Sequence, residues 1–146
     1  MIALLQRVAS ARVQVAGATI GAIEAGLLVL VCAEATDTAD VGRRLVQKIV
    51  KLRVFANEAG KMSRSLQDIA GGLLIVSQFT LAADTSSGNR PGFSGAAPSE
   101  LGRALYEDLL RVARELHPVV AAGEFGAHMQ VHLVNDGPVT IPITLR

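Results

Sequence analysis

The spacing of apolar positions divides the 146-residue chain into short strands and two helices. In-out alternation runs through Ala3, Leu5 and Arg7 and again through Arg12, Val13, Gln14 and Val15. Gly17 then offers a tight turn before the β-compatible stretch Ala18 to Ile23. Gly26 to Ala33 is an unbroken apolar run of strand length, which fits a strand covered on both faces and therefore central in its sheet. Thr36, Asp37 and Thr38 offer helix caps, and Val41, Leu45, Ile49 and Leu52 then recur at helical spacing, predicting one amphipathic helix. A second begins at Pro98 and Ser99, holds Leu101, Leu105, Leu109, Val112 and Leu116 on one stripe, and stops at His117-Pro118.

Between the helices, Val54-Phe55, Ser65 to Ile69 and Leu73 to Leu81 read as strands, with a turn at Asn57 to Gly60. Ala82 to Ala97, rich in Gly, Ser, Asn and Pro, is a loop of the length that usually carries function. Met129, Val131 and Leu133 alternate with Gln130, His132 and Val134 as a strand does. Asn135-Asp136-Gly137-Pro138 reads as a turn, after which Val139 to Leu145 is again extended. The pattern predicts a single α+β domain over residues 1–146, with a largely antiparallel, barrel-like sheet and two main helices.

Composition narrows the function classes. Half of the residues are hydrophobic and 18% are charged, the opposite of a disordered chain. Aromatic residues make up 3% and Trp is absent, so the core must be aliphatic. No apolar run approaches the roughly 20 residues of a membrane span. Met1 to Val8 lacks the basic flank and long apolar stretch of a secretion signal, and the one cysteine, Cys32, excludes a disulfide framework. A cytoplasmic protein with no membrane partner is the expectation. The net charge of +1 is too small for nucleic-acid binding by bulk charge, so any RNA contact needs a local patch. Arg43, Arg44, Lys48 and Lys51 supply one on a flank of the first helix, with Arg53 just beyond; a solvated helix face is the plainer explanation and phosphate contact the sharper one.

Ser77-Gln78-Phe79-Thr80 closes a buried strand just before the long loop, where hydroxyls and an amide are held rigidly at a surface. The same residues also suit a strand end that merely satisfies its own backbone. No Gly-x-Ser-x-Gly elbow is present, and no general base is marked beside either hydroxyl. His128 and His132 share a face on a strand but stand about 13 Å apart, too far for one ion, so no metal is expected.

Taken together, Gln6-Arg7-Val8, Ser77-Gln78-Phe79-Thr80-Leu81, Gly88-Asn89-Arg90-Pro91-Gly92-Phe93, Phe125 to Val131 and Asn135 to Thr140 resemble the D-aminoacyl-tRNA deacylases along the whole chain. The sequence departs from that pattern at His128, at Gly92 and in the tail Ile141 to Arg146. The resemblance implies an enzyme that hydrolyses the ester joining a D-amino acid, or glycine mischarged on the alanine tRNA, to the 3′-terminal adenosine of tRNA. It implies no cofactor, a tRNA partner and a homodimer with sites at the subunit interface.

Residue by residue, the resemblance makes Ser77, Gln78, Phe79 and Thr80 the catalytic segment of one subunit. Arg7, Met129, Gly137, Pro138, Val139 and Thr140 become substrate-binding residues, with a cis Gly137-Pro138 entering from the second subunit and its carbonyls excluding L side chains. Arg44, Lys48 and Lys51 are the matching RNA-contact candidates. Two other functions fit the residues: a related aminoacyl-ester hydrolase without chiral selectivity, and a tRNA-binding module without catalysis.

Overall fold

β1 (Ile2–Val15) is the strand on which the sheet assembles, in a computed structural model that describes all residues 1–146. One edge of β1 pairs antiparallel with β3 (Gly26–Cys32) along its first half and with β2 (Ala18–Ile23) along its second. The other edge pairs antiparallel with the long final strand β8 (Gln130–Thr144). Beyond β3 lie β6 (Gly72–Ser77) and β7 (Val120–Ala122), both added in parallel. Parallel neighbours need long crossovers, and α1 (Ala39–Lys51) and α3 (Ser99–Leu116) supply them. The sheet curls until β2 approaches β7, so closely that a Cβ on Gly21 would lie 2.6 Å from the Ala122 carbonyl oxygen. The result is the nearly closed, barrel-like α+β domain that the pattern predicts.

The alternation of strand side chains produces two apolar layers. Leu27, Val29 and Val31 of β3, with Leu73 and Ile75 of β6, face Leu45, Ile49, Leu105 and Leu109 of the two helices. Leu28, Leu74 and Val76 point the other way, into the barrel, where they meet Val8, Ala11, Val13 and Ile23. β3 is therefore central and covered on both faces, which is why its sequence is continuously apolar instead of alternating.

Three local expectations change. Ser65 to Ile69 is not a strand: Ser65 caps a short helix, α2 (Leu66–Ile69), by accepting from the Asp68 amide at 3.1 Å while the Asp68 carboxylate accepts from the Ser65 amide at 2.8 Å. That reciprocal pair of bonds satisfies helix-end donors that a strand would leave to a neighbour. It also holds the Asp68 carboxyl below the usual range. The strand expected over Leu73 to Leu81 stops at Ser77, and Phe79–Ala82 winds into a 3-10 turn. The segment Asn135 to Pro138 does not reverse the chain. β8 continues through it, but β1 partners jump from Asn135, opposite Val8, to Thr140, opposite Gln6, so residues 136–139 bulge out of the ladder. The Asn135 side chain closes this bulge, donating to Thr140 Oγ1 at 2.8 Å and accepting from the Val139 amide at 3.1 Å. The Gly137–Pro138 peptide bond within it is cis.

Asp37 has a role beyond helix capping. Thr38 occupies the cap position without a side-chain bond. Asp37 is buried and accepts from the Met1 α-ammonium at 2.8 Å, as Glu34 does at 2.9 Å and the Leu145 carbonyl at 2.7 Å. The three ammonium protons thereby tie β1, the β3–α1 connection and the C-terminal strand together. No helix is long and apolar enough to cross a membrane.

Removing one partner of a buried ion pair leaves an uncompensated charge, with a typical loss of about 3–5 kcal/mol. Because Glu34 remains, Asp37→Ala is expected at the lower end, about 3 kcal/mol, read as a reduced urea midpoint at unchanged m-value.

Candidate active site

The end of β6 is fixed by its neighbour. Ser77 pairs with Val31, and the Gln78 amide donates to the Val31 carbonyl at 2.8 Å before the chain turns. The following 3-10 turn leaves the amides of Phe79 and Thr80 without intrahelical acceptors, and the Gln78 side chain does not cap them. It donates instead to Thr80 Oγ1. Phe79 is 56% exposed, an unusual state for a large apolar ring, and it stands over a cleft of about 700 Å³.

Two segments without regular structure complete that cleft. The loop before α3 contributes Phe93, Ala96 and Ala97, and is anchored where the Ala97 amide donates to the Ala33 carbonyl at 2.8 Å. Phe93 meets Phe79 edge to face at 5.0 Å between ring centres. From the connection between β7 and β8 come Phe125, Gly126, Ala127, His128 and Met129. No lysine, arginine or carboxylate lines the cleft. His128 lies 3.3 Å from the Gln130 amide nitrogen, and no hydrogen bond connects it to Ser77 or Thr80. The arrangement therefore contains no Ser-His-Asp or Thr-His relay. Its chemical resources are backbone amides, the hydroxyls of Ser77 and Ser99 with that of Thr80 beside them, the Gln78 amide, the His128 imidazole and apolar walls. Beneath Phe79, the Cys32 thiol donates to the Ala33 carbonyl at 3.3 Å, and burial, ahead of the nearby Glu34 charge, pushes its pKa up. It stays a thiol rather than a nucleophilic thiolate.

The residues expected at the site divide into two groups. Ser77, Gln78, Phe79 and Met129 line the cleft, and Thr80 is joined to them through Gln78. Arg7, Gly137, Pro138, Val139 and Thr140 gather around the β8 bulge and contribute nothing to that lining. There Arg7 donates through Nε to the Asp136 carbonyl at 2.9 Å and through Nη1 to the Val54 carbonyl at 2.7 Å. Ile143 is level with Ala3, Val31 and Ser77 across the sheet, whereas Gly137 lies in the bulge beside Arg7, four residues and roughly 13 Å further along β1. Within one protomer the two groups therefore stand apart. Arg44, Lys48 and Lys51 are exposed on α1, but Arg44 is bonded to the Asp40 carboxylate at 2.9 Å and to the Arg146 carbonyl at 3.1 Å. Phe93, Phe125 and His128 join the cleft although alternation and spacing mark none of them. The signal that could have found Phe125 is an aromatic ring isolated in a glycine-containing connection between two strands.

A family model described as D-Tyr-tRNA(Tyr) deacylase matches residues 4–144. The chain belongs to the D-aminoacyl-tRNA deacylase family. It is 63% identical to the D-aminoacyl-tRNA deacylase of Variovorax paradoxus (strain S110), with 99% of each chain covered. Identity with that of Methylibium petroleiphilum is 66%, covering 99% of this chain and 95% of the relative. A solved structure named c-Myc DNA Unwinding Element Binding Protein superposes with TM-score 0.95 at 42% identity, covering 100% of this chain and 99% of that one. A probable eukaryotic D-amino acid tRNA deacylase superposes with TM-score 0.88 at 17% identity over 97% of each, a likeness of fold. Membership makes this deacylase-family chain a hydrolase, and the cleft at the end of β6 is its candidate active site.

Tyr106 is the pillar behind the cleft. Its hydroxyl donates to the Ile75 carbonyl at 2.8 Å, and burial pushes the phenol up to about 12. Because the folded protein disfavours the phenolate, this contribution to stability is complete below pH 10 and is lost as pH rises through 12. Unfolding free energy is expected to fall by roughly 3 kcal/mol between these values. Tyr106→Phe should remove that alkaline dependence in denaturant titrations.

Proposed function

We propose that the protein hydrolyses the ester of D-aminoacyl-tRNA in the cleft at the end of β6, and that a second copy of the chain completes the site. The observation that carries this reading is the meeting of Ser77, Gln78 and Phe79 with Phe125 to Met129 around a cleft free of charged side chains. An aminoacyl ester is already activated. Its hydrolysis needs a positioned water and donors for the developing oxyanion more than it needs a strong side-chain base. The amides of Phe79 and Thr80 are the proposed donors. Water oxygen bonds to the carbonyl carbon, the bond to the ribose 3′ oxygen breaks, and the water proton reaches that oxygen through the neighbouring 2′-hydroxyl. The products are free D-amino acid and tRNA with its 3′-hydroxyl restored.

Chiral selection follows in this reading from the bulge of β8. Gly137-Pro138 of one protomer enters the cleft of its partner, and main-chain carbonyls occupy the space an L side chain needs. Arg7 and Asn135 hold that segment in shape from behind. Selectivity of this kind is a penalty against the wrong ligand. Glycine has no side chain to exclude, so the same filter passes glycyl-tRNA. Lys48 and Lys51 are proposed to meet phosphates of the acceptor arm; Arg44, engaged with Asp40, contributes less.

The test is deacylation of D-tyrosyl-, L-tyrosyl- and glycyl-tRNA by the purified protein. D-tyrosyl- and glycyl-tRNA should be cleaved and L-tyrosyl-tRNA spared; equal rates on both enantiomers would overturn the reading. Specific activity should fall on dilution into the monomer range, because neither half-site suffices alone.

The same assay separates two roles for Thr80. With water as the attacking group, Thr80→Ala is expected to stay within about an order of magnitude of wild type, whereas loss of a covalent nucleophile removes several orders.

A further inference from the structure

Phe125 lies in the connection between β7 and β8, which belongs to no helix or strand, so side-chain contacts must set its position. Its ring forms part of the cleft wall. Three groups of α3 hold it from behind. The ring packs against the backbone of Gly102, where a Cβ would stand 3.5 Å from Phe125 Cζ, an ordinary contact distance. The Tyr106 ring lies 6.0 Å away, centre to centre. The guanidinium carbon of Arg103 sits 4.8 Å from the ring centre, over its face.

Arg103 itself does not line the cleft, although its Nη2 reaches close to Gly126 beside Phe125. It lines a separate outer groove with Glu107, Arg114 and Glu124, and Phe125 is the residue that borders both spaces. Glu107 stands at i+4 on the same helix, the spacing that favours an ion pair. About two turns beyond Arg103, Arg111 does pair in this way with Glu115, and with Asp108 as well. Arg103 makes no ion pair or side-chain hydrogen bond, and its guanidinium rests on the ring instead. A cation over an aromatic face is attracted by the ring quadrupole, and a planar guanidinium also stacks on it.

We propose that Arg103 is a positioning residue for deacylation, acting through Phe125 to hold the cleft wall against the bound aminoacyl ester. The inference rests on the reading that the ester binds in this cleft. Without the cation, the Phe125 ring is released toward the outer groove and the cleft widens, while the amides of Phe79 and Thr80 are undisturbed. Binding weakens and the chemical step does not.

The experiment is steady-state deacylation of D-tyrosyl-tRNA at fixed ionic strength by the wild type, Arg103→Lys, Arg103→Met, Phe125→Leu and the Arg103→Met/Phe125→Leu double variant. Arg103→Met should raise KM by roughly two- to five-fold, the range a cation–π contact at a partly exposed site supplies, at unchanged kcat and Tm. Arg103→Lys should restore most of the loss. In the Phe125→Leu background, Arg103→Met should have no further effect. Additive effects overturn the assignment, and are what direct contact between Arg103 and tRNA phosphates would produce. An unchanged KM in Arg103→Met, or a fall in kcat that tracks a fall in Tm, overturns it too. Ala97→Phe fills the cleft from the loop that leads into α3 and tests the underlying reading separately. Its loss of activity is expected, and full activity would overturn the cleft as the binding site whatever Arg103 does.

Discussion

The parallel pairing of β3 with β6 governs where everything else in the molecule can lie. It begins at Gly26 opposite Gly72, where a Cβ on Gly26 would fall 1.9 Å from the Gly72 carbonyl oxygen, and ends at Val31 opposite Ser77. Between those points both strands are buried on both faces, one against α1 and α3 and the other inside the barrel. A slip of one residue would exchange the two faces and uncover both layers at once. The register is therefore fixed, and with it the residue at which β6 emerges. The bond from the Gln78 amide to Val31 is the last rung, and the exposed Phe79 and Thr80 are its direct consequence.

A cleft built at a strand end in this way draws its polarity from the backbone. Its side chains are mostly apolar, and its hydroxyls have no acid or base within hydrogen-bond reach. This composition suits a substrate whose reactive bond is already labile, because positioning and a pair of amide donors are then sufficient. It is a poor design for cleaving an unactivated amide, for which the positioned general base found in protease-like triads would be needed. If the ester binds here, as proposed, a lining without lysine or arginine leaves the phosphates of the substrate to be met elsewhere on the surface.

The same fact explains which parts of the molecule are legible in the amino-acid sequence. Apolar periodicity finds α1, α3 and the central β3, because burial on a stripe or on both faces leaves a pattern in side chains. It misreads Ser65 to Ile69, where five residues are too few for a period to show and the decisive signal was the capping pair Ser65 and Asp68. It also places a turn at Asn135 to Pro138, since Asn, Asp, Gly and Pro are turn formers whether the chain reverses or merely bulges. Only the partner strand distinguishes the two outcomes. The cleft is harder still. Ser77 and Thr80 look like residues at any strand end, and it took the joint occurrence of several motifs to single them out. Phe125 stands in one of those motifs, but its place in the cleft wall shows only in the structure, with α3 behind it.

The bulge of β8 and the cleft at the end of β6 stand apart on one protomer. Arg7 bonds at once to Asp136 and to Val54, so the bulge of β8 and the chain leading into β4 (Phe55–Ala56) are held as one unit, away from the cleft of the same chain. If both groups recognise one small ester, as proposed, a second protomer is the simplest way to bring them face to face. A symmetric pair meets that requirement twice over, since each copy would give its bulge and receive its partner's, the self-complementary exchange that a two-fold axis imposes. Rigidity then matters more than reach. A filter made of main chain discriminates only if it cannot yield, and the bonds from Asn135 to Val139 and Thr140 restrain the bulge from within its own strand before any partner arrives.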